Sequence, residues 1–260
     1  MNKIPNQQLF EFAFFPKYQD VLEFLAENLA DKEEWDFGKP QTKRYPILKN
    51  YLEHTFRKLK AESKIAFTTD KKYACFNTGL VTPNLEEIFA FFEKNRNIAN
   101  QPYFFKAFHK KSNNELLFHF NQNLPDIADY FQNPADLIFN PRYDLIPDID
   151  HIIQDNRGRF PDFLKNQNEG EIRMRLQGAI EEAKKKVKTN YKIAIPQYFN
   201  NRIQLLLPLY LTPASPFPDL ALTVHKISNE AYTARTCLSI EMAYNNARLI
   251  VKPQSDWLKP

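Results

Sequence analysis

Glycine is scarce in this chain, with 5 among 260 residues. None falls in a G-x-G-x-x-G or a G-x-x-x-x-G-K-[ST] pattern. The two common loops that bring backbone N–H groups against nucleotide phosphates are therefore missing. Cysteine is scarcer still: Cys75 and Cys237 stand far apart and match no zinc spacing. Each lies beside apolar residues, so both are expected as reduced, buried thiols. No uncharged apolar run approaches the ~20 residues of a membrane span. The opening "MNKIPNQQLFEFAFF" lacks the apolar stretch and small-residue cleavage site of a signal peptide. These absences point to a soluble, cytoplasmic protein with no membrane partner. Charge of one sign is also limited, with a formal net charge of only +4. A domain built solely to grip duplex phosphates is usually more basic, which leaves weak or local phosphate binding open. HExxH, the EF-hand loop and Gly-x-Ser-x-Gly are all missing, so no metal is assigned and any cofactor is unknown.

Aromatic residues are abundant, at 14% with 23 phenylalanines, and apolar residues make up 43%. This supports a sizeable core and argues against disorder. Residues 1–62 look helical. "PKYQDVLEFLAENLA" spaces Val21, Leu22, Leu25 and Leu29 for one helix face. "PILKNYLEHTFRKLKAESKI" does the same with Ile47, Leu48, Leu52, Phe56 and Leu59, with Gly38 and Pro40 as breakers between the two.

From residue 63 the period changes. "KIAFTTDKKYACFNTGLVTP" reads as a hairpin. "EEIFAFFEKN", "PYFFKAFHKK" and "NELLFHF" read as further strands of an antiparallel sheet. Prolines punctuate residues 121–165, leaving room for short helices such as "LPDIADYF" and "IDHIIQDN". "EIRMRLQGAIEEAKKKVKTNY" is a long helix with Ile172, Leu176, Ile180, Ala183 and Val187 on one face. "YKIAIPQYF", "RIQLLLPLYL", "LALTVHK" and "AYTART" follow as strands, and "TCLSIEMAYNNARL" opens a C-terminal helix. The expected fold is α+β, with N-terminal helices packed on a largely antiparallel sheet. Its parts are a helical region over 1–62 and one compact α+β domain over 63–260.

The polar candidates come from separated segments. Thr236 or Ser239 stands where strand meets helix and can either cap that helix or help to hold an anion at its N–H groups. Asn245 and Arg248 share a helix face, with Asn246 beside them. They suit a polar seam or a ligand, and Arg248 would then be a forked donor to phosphate or carboxylate. Asn77 and Thr78 precede Gly79 in an otherwise apolar strand, which suggests a bulge or a ligand contact. Lys192 lies on a strand between Tyr191 and Ile193, and it and Gln197 can reach a phosphate or base, or simply face solvent. "FNPRYDLIPDIDHIIQDNRGRFP" is the densest polar run. Its Arg142 is a phosphate candidate. Asp150 and His151 are candidate acid–base residues, against the alternative of a loop held by Asp–Arg pairs and Asx turns.

"ACFNTGLVT", "PADLIFNPRYDL", "DIDHIIQDNRGRFP", "NYKIAIPQYF" and "TCLSIEMAYNNARLI" together resemble a bacterial family of unknown function, from about Leu48 to the C-terminus. Its domain is associated with proteins that carry the OST-HTH (LOTUS) RNA-binding module, so the resemblance implies an RNA-related context. The leading expectation is a nucleic-acid-associated domain, with RNA or a nucleotide-like ligand as partner. Phosphate would be held by Arg142, Lys192 and Arg248. Asn77, Gln197, Asn245 and Asn246 would read polar groups, and Tyr198 would stack on unpaired bases. An enzyme acting on RNA or a nucleotide through Asp150 and His151 is the alternative. A scaffold binding a protein partner through the aromatic strands is the third.

Overall fold

The computed structural model describes residues 8–37, 44–96, 101–121 and 123–259. The breakers Gly38 and Pro40 lie outside the described residues. The chain forms two compact units, Met1–Asp129 and Tyr130–Pro260, and each carries one five-stranded mixed sheet. The boundary drawn at residue 62 falls inside the first unit.

In the first unit, α1 (Leu9–Phe12), β1 (Ala13–Phe14) and α2 (Tyr18–Phe24) are followed by α3 (Pro46–Ala61). A π-helical turn over Leu25–Leu29 extends α2. Strands β2 (Ala66–Phe67), β3 (Tyr73–Val81), β4 (Glu87–Lys94) and β5 (Tyr103–Lys110) precede α4 (Asn114–Phe120). The sheet order is β1-β5-β4-β3-β2, with β1 parallel to β5 and the other pairs antiparallel. Phe56 of α3 meets Phe76 of β3, with ring centroids 5.5 Å apart, and Phe76 stacks on Phe92. Cys75, Phe89, Phe91, Leu116 and Phe120 form a second buried cluster. Helices thus cover β3 and β4, whose burial runs on without alternation.

"NELLFHF" is a helix rather than the expected strand. Asn113 caps it by accepting from the N–H groups of Glu115 and Leu116. Leu116 and Phe120 are then one turn apart and both buried. "LPDIADYF" is not helical. Glu62 takes the Asp129 N–H and the Lys64 ammonium donates to the Ile127 carbonyl, so contacts distant in sequence occupy that backbone.

In the second unit, β6 (Asp144–Pro147), α5 (Ile149–Asn156), α6 (Asp162–Lys165) and α7 (Glu169–Thr189) come first. They are followed by β7 (Ile195–Phe199), β8 (Arg202–Leu209), β9 (Leu220–Lys226), β10 (Ala231–Ser239) and α8 (Ile240–Arg248). The order is β6-β10-β9-β8-β7, with only the β6–β10 pair parallel. The apolar stripe of α7, from Ile172 to Val187, packs with Leu205, Leu207, Leu222 and Val224 in one core. Asn200 and Asn201, both left-handed with φ of 48° and 60°, close the β7–β8 hairpin.

Candidate functional site

Strand alternation builds a polar row across β7–β8–β9. Leu205, Leu207, Leu222 and Val224 point into the core, so their neighbours Gln204 and Thr223 turn to the opposite face. Gln197 pairs directly with Gln204 across the hairpin. Its Nε2 donates to Gln204 Oε1 at 2.9 Å and reaches Thr223 Oγ1 at 3.5 Å. Asn246 of α8 donates from Nδ2 to Gln197 Oε1 at 3.0 Å. Gln197 is buried, so this amide chain supplies the partners its polar ends require.

Beside this row lies a cavity of about 340 Å³, bordered by Gln204 and also by Leu205, Val224 and Tyr232, whose side chains belong to the core face. Arg202 and Gln204 of β8 form one wall. His225 and Lys226 of β9 form another, and Asn133 and Asp136 come from the preceding connection. The Arg202 guanidinium lies 3.5 Å from His225 Nε2. Arg202 can only donate, so Nε2 is the acceptor side of that contact, and His225 Nδ1 is enclosed with no hydrogen-bond partner among the described residues. Asp136 receives a hydrogen bond from Asn133 and an ion pair from Lys226 at 3.5 Å. Lys226 also lies over the Tyr143 ring. Arg202 and Lys226 outnumber Asp136, so the cavity favours an anion. Its size and mix of walls suit a small polar ligand. Phe199, next to the hairpin turn and directly opposite Arg202, is half exposed.

The residues singled out in the sequence are distributed as follows. Gln197 and Asn246 are joined to each other and, through Gln204, to the cavity wall. Arg142, Lys192, Thr236, Asn245 and Arg248 do not line that cavity. Arg142 is exposed, and its N–H bonds Asn140 Oδ1. Lys192 lies in a 3₁₀ turn over Tyr191–Ile193 rather than on a strand, because the Asn190 side chain caps that turn. Arg248 is buried. Thr236 remains inside β10 opposite Thr223, and Ser239 caps α8 by accepting the Met242 N–H. The Asn245 amide oxygen is enclosed with no hydrogen-bond partner among the described residues. Tyr198 is buried against Tyr130, and the outward ring is its neighbour Phe199.

Asn77 and Thr78 belong to the first unit, where they close the bulge at Gly79. Asn77 donates to Glu87 and accepts the Gly79 N–H; Thr78 donates to the Ile88 carbonyl and accepts the Leu80 N–H. Asp150 is bound by Arg173 at 2.9 Å, and His151 by Asp155 at 3.3 Å with its N–H on Asp148. As adjacent residues on α5, Asp150 and His151 point to different sides. Asn156 accepts the Cys237 N–H, and Arg159 donates to the Cys237 carbonyl. That polar run therefore fastens α5 to β10 beside its register shift at Ala234/Thr236.

A protein-family profile described as "Domain of unknown function (DUF3825)" matches residues 26–257. The chain belongs to this family. The DUF3825 match begins earlier than Leu48 and takes in the second sheet and every strand of the first except β1. No curated protein and no solved structure matches the chain. Among the described residues, no helix is long and apolar enough to cross a membrane, and no group of three or more His, Cys, Asp or Glu side chains is placed to hold a metal ion.

The cavity residues Arg202, Gln204, His225 and Lys226 had no motif to mark them in this DUF3825 chain. Their signal was positional: polar residues at the ends of two otherwise apolar strands, "RIQLLL" and "LALTVHK". Recognising it required knowing that β8 and β9 are neighbours.

Proposed function

We propose that the chain is an RNA-binding domain that holds single-stranded RNA at the cavity of the second unit. Phosphate sits on Arg202 and Lys226, and a base lies toward Gln204 and Phe199. The observation that carries this reading is the conjunction of two cationic side chains with an amide-lined cavity of about 340 Å³. An exposed aromatic ring, Phe199, is the direct cross-strand partner of Arg202. Cationic grooves flanked by stacking platforms are how single strands are usually held, and every base offers a π-face. Resemblance to a family linked with OST-HTH (LOTUS) modules supports the same direction. The small net charge of +4 fits a local phosphate contact better than a duplex-tracking surface.

The test is fluorescence anisotropy of a labelled single-stranded RNA titrated at several salt concentrations. Each lost phosphate contact should flatten the log–log salt slope by about 0.7. The double variant Arg202→Ala/Lys226→Ala should therefore bind weakly with a visibly shallower slope. A folded double variant with unchanged affinity and slope removes the cavity as the RNA site.

A further inference from the structure

The second unit's sheet has two faces, and only one of them is fully covered. Leu145, Leu205, Val224 and Tyr232 enter the core shared with α5 and α7. By alternation Ile146, Gln204, Thr223, His225 and Thr233 turn to the other face. There α8 leaves β10 at Ser239 and reaches β7, where Asn246 bonds Gln197. In the half that α8 occupies, Gln197, Leu206, Ala221 and Thr223 are buried. Beyond it the same face opens. Phe199 is 50% exposed and Ile146 56%, and Arg202 is exposed as well.

Strand register sets what lies in the open half. Phe199 pairs with Arg202, and Gln197 with Gln204. His225 neighbours Gln204, one step past the Leu205–Val224 pair. Thr233 stands opposite His225 on one side and beside Ile146 on the other. The Arg202 guanidinium is laid toward His225 at 3.5 Å. From β7 to β6 the face thus presents an aromatic ring, a cation, an amide, an imidazole, a hydroxyl and an aliphatic side chain. None of these six is acidic. Asp144 and Asp148 stand two residues to either side of Ile146, at the far border, and Asp148 is paired with Arg235 at 3.3 Å.

We infer that this open half-face continues the RNA track beyond the cavity. A single strand with one phosphate on Arg202 runs across Gln204 and His225 to Thr233. One base lies on Phe199 and another against Ile146, and Asp144 ends the track by repelling the next phosphate. The inference rests on the RNA-binding reading above and adds a second surface to it. Arg202 is the junction, since it borders the cavity and directs its guanidinium over this face. Neighbouring strands lie about 4.8 Å apart, so Phe199 and Thr233, three spacings apart, are separated by roughly 14 Å. Open sheets of that width stack about two or three bases in other RNA-binding modules. A protein partner would call for an apolar centre, and here the four central side chains are polar.

The experiment titrates a labelled single-stranded RNA octanucleotide with the full chain, by anisotropy at several salt concentrations. Thr233→Arg sets a cation on the proposed path. It should tighten binding and steepen the log–log salt slope by about 0.7. Thr233→Glu should weaken binding about threefold or more at low salt. Met174→Arg is the control. Met174 is exposed on α7, which packs on the opposite face, so the same charge there should leave the slope unchanged. If the Thr233 variants do not fold, Ile146→Glu decides, because Ile146 is half exposed on an edge strand; it should weaken binding likewise. Wild-type affinity and slope retained in the folded Thr233 or Ile146 variants overturn this inference alone. So does an equal change in Met174→Arg, because the effect is then one of net charge and not of position. A wild type that does not bind the octanucleotide overturns the RNA-binding reading and the inference with it.

Discussion

At the scale of single residues, burial decides which ionisable groups keep their charge. His54 on α3 is pushed down from 6.5 to about 4 by desolvation, and the charges of Arg57 and Lys58 act in the same direction. Above pH 6.5 the imidazole is neutral whether the chain is folded or unfolded, so it imposes no penalty. Between there and about pH 4 the unfolded chain takes up a proton that the folded one refuses. The unfolded state then binds more protons, and stability falls as pH falls. The loss should approach about 2 kcal/mol, allowing for partial exposure of the ring. Urea unfolding of His54→Gln at pH 7 and pH 4.5 should show a smaller acid loss than the wild type; equal losses would clear His54 of the effect. The two thiols follow the same logic. Burial raises both, Cys237 to about 12, consistent with the expectation from their apolar neighbours in sequence. Residue character was thus readable where burial alone set it. It was less readable where a distant partner decided, as with Asn156 bonding the Cys237 N–H.

At the scale of elements, the β3 bulge shows how one glycine is required. Gly79 has φ of +73°, and a Cβ placed there would lie 2.6 Å from the Tyr51 hydroxyl. That hydroxyl donates to the Thr78 carbonyl at 2.8 Å, holding α3 to the bulge. Gly79→Ala should cost about 2 kcal/mol, combining the left-handed backbone penalty with the clash. Tyr51→Phe removes the clashing oxygen but also the hydrogen bond. Gly79→Ala/Tyr51→Phe should therefore lose less than the sum of the single losses in thermal or urea unfolding. Strict additivity would show that the hydroxyl is not what the methyl meets. A bulge was already legible from glycine in an apolar strand. The long α7 was equally plain, because its five core positions repeat at helical spacing over many turns. The α4 segment was misread because Leu116, Leu117, Phe118 and Phe120, within only seven residues, satisfy either period. Asn113, the cap that decides it, stands just outside the apolar run. The cavity was only half legible. Gln197 and Asn246 could be chosen as polar residues in apolar settings. Their link to Arg202 and His225 depends on strand order, which no local pattern encodes.

At the scale of the molecule, the division into Met1–Asp129 and Tyr130–Pro260 carries a consequence for where binding resides. No glycine-rich linker or shift in composition marks that boundary, and the proline-punctuated run around it reads as an ordered loop. Each unit nevertheless has what independent folding needs. The second contains a complete five-stranded sheet and a core in which α5 and α7 meet β8, β9 and β10. At this length a single core is sufficient to fold a domain. Every residue lining the proposed RNA cavity, from Asn133 to Tyr232, also lies within it, as do the hydrogen-bonded amides of Asn246, Gln197 and Gln204. A fragment beginning at Tyr130 should therefore unfold cooperatively and bind single-stranded RNA with the salt slope of the full chain, because that slope counts phosphate contacts and none is assigned to the first unit. Circular dichroism melting and anisotropy titration check the two halves of this expectation. A fragment that melts cooperatively yet binds with a much shallower slope would mean that the first unit supplies phosphate contacts of its own. Its basic side chains Lys106, Lys110 and Lys111 pair with Glu93, Glu86 and Glu87, so contacts made by these three would have to displace existing ion pairs.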